Sequence, residues 1–226
     1  MRFANYGMSL LLVAQPAIAA PAAMDKAFAA AFGHPAPYAM MASGEAAKKP
    51  AKFTYTPGAL VDVAPSLVAL ISKGKADCDA CAGVLAIHYL KRSGGTLSLV
   101  KAWPAIGNAG VNGQSSWTPR PDLEGGPAIL ASHDEFGPGC QQTYSQLIAL
   151  TPDKPVVRAN LLTAVHYDPG PEPDRSPAFQ AKAKILPGER GKSFALEYAG
   201  TWKLHVDYLR KGDVYAAKQH EAPACQ

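Results

Sequence analysis

The sequence predicts a mostly β protein, an antiparallel meander that forms a sandwich or an open barrel behind one short N-terminal helix. From Phe53 onward, short alternating or apolar runs recur, and residues typical of turns separate them. Ahead of them, the stretch 20–52 is rich in alanine and proline. We therefore divide the chain into a signal peptide (1–19), a short helix with a mobile Ala/Pro-rich connector (20–52) and a single β domain (53–226).

The N-terminus has the pattern of a secretory leader. Arg2 is its only charge, residues 7–14 form an apolar run, and residues 17–19 (Ala-Ile-Ala) supply the small side chains that signal peptidase requires. We expect cleavage after Ala19 and a protein that is periplasmic or secreted. No later segment approaches the roughly 18 apolar residues of a membrane span.

Composition narrows the choice of partners. Removal of Arg2 with the leader would lower the formal net charge from +4 to +3, and the lysines and arginines are scattered along the chain. Nucleic-acid binding normally needs a basic stripe with interleaved aromatic residues, and this sequence has none. We expect a monomer with an envelope partner, either a protein or a glycan.

The helix is predicted from apolar residues at helical spacing, and Gly33 and Pro35 end that pattern. These residues are Met24, Ala27, Phe28 and Ala31. The segment 34–52 is predicted to be the mobile connector.

Nine strands are predicted from alternation or from short apolar runs, with turns at Pro57-Gly58 and at 93–95. In the last strand, Trp202, Leu204, Val206 and Tyr208 would face the core. The nine strands are 52–56, 67–72, 96–103, 127–132, 143–150, 156–167, 179–186, 193–198 and 201–209.

The segment 82–92 is ambiguous. Its apolar residues have helical spacing, but they also suit a strand that is buried on both faces, and periodicity cannot separate the two. The Ser-Gly-Gly turn at 93–95 and the alternating strand after it favour a hairpin.

Four cysteines, Cys78, Cys81, Cys140 and Cys225, predict two disulfides in an exported chain. We expect one cysteine of the pair at 78 and 81 to bond Cys140 and the other to bond Cys225. A bridge between Cys78 and Cys81 themselves would close too small a loop to stabilise the fold much.

Two other interpretations of these cysteines are weaker. A redox site needs a stabilised thiolate, and Asp77 and Asp79 beside Cys78 disfavour one. A zinc site would use Cys78, Cys81 and Cys140 with His133, but a second close pair of ligands is missing.

Further motifs bear on catalysis. His166 with Asp168, and His205 with Asp207, are HxD pairs at strand spacing, and they would form a metal site only if their strands were neighbours. Polar residues on an exposed sheet face are the favoured interpretation, and we expect no metal and no cofactor.

The stretch 132–135 (Ser-His-Asp-Glu) gathers the residue types of a catalytic triad, but a triad is assembled in space and not by adjacency. The sequence contains neither GxSxG nor HExxH. The glycine-rich stretch 107–113 lacks the lysine and the helix of a phosphate-binding loop. An enzyme is therefore unsupported.

The long glycine-rich segment 104–126 is predicted to be a loop, and Trp117 with Arg120 is its candidate binding surface. The alternative is a short strand at 115–120 that buries Trp117. The proline-rich segment 168–177 is a second candidate surface.

Several stretches together resemble a group of small exported bacterial proteins that have no assigned activity. The resemblance spans about 53–200 and is sharpest at the Cys-Asp-Ala-Cys motif and at Gly139-Cys140. It implies that Cys78, Cys81 and Cys140 belong to a shared framework, and it implies no catalytic residue. The stretches that carry it are DCDACAGVLAIHYL, SSWTPRPDL, FGPGCQQTYSQLIALTPDKPV and FALEYAGT, with Trp103 at the end of a strand.

We therefore expect a non-catalytic binding module of the bacterial envelope. The alternative function is a thiol–disulfide oxidoreductase that uses Cys78 and Cys81.

Overall fold

The computed structural model describes residues 21–78, 81–111, 113–170, 177–219 and 224–225. The predicted signal peptide lies outside these residues, as does most of the proline-rich segment. One helix, α1, comes first and is followed by strands β1 to β13. Their bounds are α1 Pro21–Phe32, β1 Tyr38–Ala42, β2 Ala51–Ala64, β3 Leu67–Ala76, β4 Ala82–Ser93, β5 Thr96–Val111, β6 Ser115–Pro119, β7 Ala128–Gly137, β8 Cys140–Leu150, β9 Pro155–Tyr167, β10 Phe179–Pro187, β11 Ser193–Gly200, β12 Leu204–Lys211 and β13 Val214–Ala217.

The strands form two antiparallel meanders. The first sheet has the order β1-β2-β3-β4-β5, and the second has the order β13-β12-β11-β10-β9-β8-β7-β6. The second sheet curls into a half-barrel. The predicted fold class, mostly β and antiparallel with a short N-terminal helix, is confirmed.

Three apolar layers hold these elements together. Helix α1 covers one face of the first sheet, where Phe28 packs with Leu70 and Ala86. The other face of that sheet packs on β7 and β8 through residues such as Ile87 and Ile148. The remaining core lies in the half-barrel and comprises residues from β7 to β13, among them the buried aromatic residues Phe194, Tyr198, Tyr208 and Tyr215.

The ambiguous segment 82–92 is strand β4. Its even-numbered residues, such as Ala86, pack under α1, and its odd-numbered residues, such as Ile87, face the second sheet. A strand that is buried on both faces has no alternation of polar and apolar residues, so its periodicity does not distinguish it from a buried helix.

Two local predictions are wrong. The connector 34–52 contains β1, which pairs with β2 from Tyr38↔Tyr55 to Ala42↔Ala51. The turn expected at Pro57-Gly58 is a bulge inside β2, where the register shifts between Pro57 and Ala59. β1 does not extend along β2 as far as Pro57, so the missing N–H of that proline costs no ladder hydrogen bond on that side.

Candidate binding surface

The structure contains two disulfides, and their pairing differs from the prediction. Cys78 bonds Cys81, and Cys140 bonds Cys225. Cys78 and Cys81 lie between β3 and β4, which pair as a hairpin, so the backbone itself brings them together. Cys140 begins β8 in the other sheet, and Cys225 packs against the half-barrel core.

The surroundings of Cys78 and Cys81 differ from those of a thioredoxin-like site. Both cysteines are exposed, and the segment after Cys81 is strand β4 and not a helix. A helix N-terminus, which commonly stabilises a thiolate, is therefore missing at this position. Asp77 forms an exposed ion pair with Lys52 at 3.4 Å. The disulfide is exposed, and no helix among the described residues begins beside it.

Trp117 and Arg120 do not form an exposed recognition loop. Most of the predicted loop 104–126 belongs to β5 and β6, and Trp117 is half-buried against the core between the two sheets. Its ring lies so close to Gly58 that a Cβ there would come within 2.2 Å of it. A glycine at a bulge commonly marks such an approach. The alternative of a short strand is confirmed, and Trp117 is half-buried within it.

Arg120 is already paired within its own turn. Its guanidinium donates to both carboxylate oxygens of Asp122, at 2.8 to 3.1 Å. This hydrogen bonding lowers the pKa of Asp122. Arg120 therefore orders the turn and is not a free cation for a partner.

The two HxD pairs lie on strands that are not neighbours. His166 is on β9 and His205 is on β12, and β10 and β11 lie between them. Three strand spacings are about 14 Å, which is too far for one metal ion to bind both imidazoles. Asp207 is bound locally, 3.2 Å from His205 Nε2. The two HxD pairs, with Asp168 and Asp207, therefore do not form one shared metal site. The described residues contain no cluster of metal ligands.

These histidines instead line a depression on one face of the second sheet, which we call the β8–β12 trough. It comprises a concavity of about 860 Å³ over β10 to β12 and an adjoining one of about 340 Å³ over β8 to β11. Lys182 and Ala199 border both concavities, so the two adjoin each other. The trough is lined mainly by the side chains of Gln141, Thr143, Ala164, His166, Gln180, Lys182, Lys184, Glu197, Ala199, Lys203 and His205.

Strand register explains why these residues share one face. Residues that are paired across neighbouring strands point to the same side of a sheet. The row Thr143↔Ala164↔Lys182↔Ala199 crosses four strands without a break. A second row, Lys184↔Glu197↔His205, continues to β12. The small side chains of Ala164 and Ala199 leave the floor of the trough low.

The trough is basic. Lys182, Lys184 and Lys203 are exposed, and none of them has an ion-pair partner among the residues that the structure describes. Glu197 is the one carboxylate in the described lining. Three ammonium groups over one concave surface produce a positive potential that attracts an anionic ligand.

The trough was not predicted from the sequence, although one signal for it is present. In the segment 179–186, Phe-Gln-Ala-Lys-Ala-Lys-Ile-Leu, lysines at alternate positions must share a strand face. That pattern predicts a basic stripe. It does not predict the concavity, which depends on how five strands curl.

No family model, curated protein or solved structure matches the chain. Among the described residues, no helix is long and apolar enough to span a membrane. Two disulfides are compatible with an extracellular or periplasmic protein.

Proposed function

We propose that the protein is a non-catalytic binding module of the bacterial envelope, exported to the periplasm or beyond, whose β8–β12 trough binds an anionic polymer. The observation that carries this proposal is the pair of adjoining concavities whose described lining holds Lys182, Lys184 and Lys203 and a single carboxylate, Glu197. Its larger part, about 860 Å³, is within the range of ligand sites in proteins.

An extended ligand suits this surface better than a compact one. The trough crosses β8 to β12, and four strand spacings are about 19 Å. All three lysines line the larger concavity, Lys182 and Lys184 on β10 and Lys203 just before β12, and Lys182 also borders the smaller one. Repeated charges on a polymer would match that distribution.

The test is binding of the mature protein to polygalacturonate, with neutral dextran as the comparison, by calorimetry. The double variant K182E/K184E should bind polygalacturonate about tenfold more weakly or worse, and raised salt should weaken the wild-type protein in the same direction. The matched control is K48E/K49E, because both of these lysines are exposed and lie before β2, outside the trough. Equal losses in the two double variants would mean that net charge, and not the trough, determines binding.

A second candidate function, thiol–disulfide exchange, is favoured by the exposed bond between Cys78 and Cys81. A substrate dithiol would lose two electrons and two protons and become a disulfide, while Cys78 and Cys81 would become two thiols. Incubation with a reduced dithiol peptide, followed by alkylation and mass spectrometry, tests this function. Stoichiometric labelling of Cys78 and Cys81, with Cys140 and Cys225 unlabelled, would support it. An unlabelled protein beside a peptide that stays reduced would exclude it.

A further inference from the structure

A further concavity lies outside the trough, on the first sheet, where β2 and β3 run beside the turn that precedes β6. Its volume is about 450 Å³. Two threonines of β2 and two lysines of β3 line it, and we call these four residues the Thr/Lys cluster. They are Thr54, Thr56, Lys73 and Lys75.

Strand register explains why the four side chains of the cluster share one face. Thr54 is paired directly with Lys75, and Thr56 is paired with Lys73. Paired residues point to the same side of a sheet with their Cβ atoms about 5 Å apart, and residues two apart along a strand do so at about 7 Å. The four Cβ atoms therefore outline a rectangle that is small enough for one compact ligand to contact all four side chains.

The cluster lies where the apolar packing of this face ends. Ala69 and Ile71 are on the same face of β3 as Lys73, and they pack against the second sheet. Gly113, in the turn before β6, borders the concavity beside Lys75, since a Cβ on this glycine would be 3.3 Å from the Lys75 Cα. The cluster therefore lines a recess that a turn borders on one side.

The polar groups of the cluster are accessible to a ligand. Thr54, Thr56 and Lys75 are exposed, and Lys73 is half-buried. Among the described residues, neither threonine hydroxyl has a hydrogen-bond partner, and neither lysine ammonium has an ion-pair partner. Two hydroxyl groups and two ammonium groups can therefore donate hydrogen bonds into the recess.

The charges around the cluster leave it positive. Asp77 also borders the concavity, but its carboxylate lies 3.4 Å from the Lys52 ammonium, which compensates its charge. The Lys73 ammonium lies 5.0 Å from the centre of the Trp117 ring, and this cation–π contact orients the lysine without neutralising it. The two lysines of the cluster therefore attract an anion.

We propose that the Thr/Lys cluster binds a phosphate group, either free phosphate or the phosphomonoester of a larger ligand. A phosphomonoester carries a charge of about −1.5 to −2 at neutral pH and three strong acceptor oxygens, so it matches two ammonium and two hydroxyl donors. A carboxylate carries one charge and would leave one ammonium group uncompensated. The hydroxyl groups and the ammonium groups of the cluster all donate to phosphate oxygens. This site is separate from the trough and does not need the trough to be occupied.

The experiment measures chemical-shift changes of backbone amides of the mature, disulfide-bonded protein on titration at constant ionic strength. The probes are inorganic phosphate, glycerol 1-phosphate and, for comparison, acetate. At least one phosphate compound should produce saturable changes at 54–56 and 73–75, and acetate should bind at least fivefold more weakly. K75M should weaken phosphate binding about fivefold to tenfold, the effect of one lost charge-assisted hydrogen bond. K91M is the matched control, because Lys91 is also exposed on a strand and lies outside the concavity.

A second variant, T54V/T56V, tests the hydroxyl groups at unchanged charge. Valine keeps the size and the branching of threonine, so the strand should be preserved. Phosphate binding should weaken about tenfold, because two hydrogen bonds to an anion are lost. Tighter binding of glycerol 1-phosphate than of inorganic phosphate would identify a phosphomonoester as the ligand, and the reverse order would identify free phosphate; both results support the site.

Four outcomes would overturn the phosphate site. They are no saturable changes with either phosphate compound at high millimolar concentration, acetate binding as tight as phosphate binding, equal weakening by K75M and K91M, and unchanged binding in T54V/T56V. The variant K182E/K184E separates this proposal from the previous one: phosphate binding that survives it while polygalacturonate binding is lost supports both. Phosphate binding without any polygalacturonate binding by the wild-type protein leaves the phosphate site intact and refutes the trough.

Discussion

The two disulfides join very different lengths of chain in the two sheets. Cys78 and Cys81 are three residues apart at the end of a hairpin of the first sheet. Cys140 and Cys225 are 85 residues apart, and their bond ties the C-terminal segment to the first residue of β8 in the second sheet. The first bond closes a turn that the β3–β4 ladder already positions. The second bond restricts a long part of the unfolded chain. The disulfide of the first sheet is therefore expected to stabilise the fold little, and that of the second sheet to stabilise it strongly.

Removing each bond separately measures how much it stabilises its sheet. Loop-closure entropy predicts that C140S/C225S lowers the free energy of unfolding by about 4–5 kcal/mol, while C78S/C81S lowers it by less than about 2 kcal/mol. Urea denaturation of both double variants beside the wild-type protein measures the difference. A larger loss in C78S/C81S would show that the hairpin depends on its bond.

The second largest effect concerns a buried charge in the second sheet. Arg158 is 5% exposed and Glu124 is 4% exposed, and Arg158 Nε lies 3.8 Å from Glu124 Oε2. R158M should reduce the free energy of unfolding by about 3 kcal/mol, because buried Glu124 would lose its buried cation and keep Arg210, whose Nη1 is 3.4 Å away but whose side chain is 30% exposed. Urea denaturation tests this value. The double variant R158M/E124Q should recover part of the loss, and no recovery would show that packing, not charge, is responsible.

In the first sheet the corresponding buried group is His88, which is neutral. It lies 3% exposed under α1, with its ring centroid 4.4 Å from that of Phe32, and burial lowers its pKa from 6.5 to about 4. The unfolded chain therefore binds a proton at higher pH than the folded chain does. The stabilising contribution is complete above pH 6.5 and is lost as the pH falls, by about 3 kcal/mol at pH 4.

Unfolding experiments between pH 7 and pH 4 measure this loss, and H88L is the informative variant because leucine does not titrate. H88L should have a shallower pH dependence than the wild-type protein over this window. His133 and Asp122, whose pKa values are also lowered in the folded chain, should contribute to the slope that remains. Identical slopes in H88L and the wild-type protein would mean that His88 becomes accessible to water before the chain unfolds.

The smallest effect is expected at an exposed ion pair of the first sheet. Arg92 Nη2 lies 3.0 Å from Asp62 Oδ1, and the two side chains are 49% and 73% exposed. R92M should change the free energy of unfolding by no more than about 0.5 kcal/mol, because water screens the pair. Urea denaturation beside R158M measures both. A comparable loss in R92M would remove the distinction between buried and exposed charges in this fold.

Glycines explain why the segment 104–126 has the composition of a loop although much of it forms strands. Gly107 and Gly110 predicted a loop, but both lie in β5, the last strand before the chain crosses to the second sheet. A Cβ on Gly107 would be 3.0 Å from the Gln146 side chain, and one on Gly110 would be 2.9 Å from His133 Cβ. These glycines allow two sheets to approach closely, and composition alone cannot separate that use from a flexible loop.

The features that follow from the sequence alone are local ones. Alternation and turn residues located α1 and most strands, and an even number of cysteines predicted two disulfides, because these properties depend on neighbours along the chain. Other features are visible only in the three-dimensional structure. These are the strand order, the partners of Cys140 and Cys78, the separation of His166 from His205 and the concavity over Lys182. They depend on which strands lie side by side and how a sheet curls, and residues far apart in sequence determine both together.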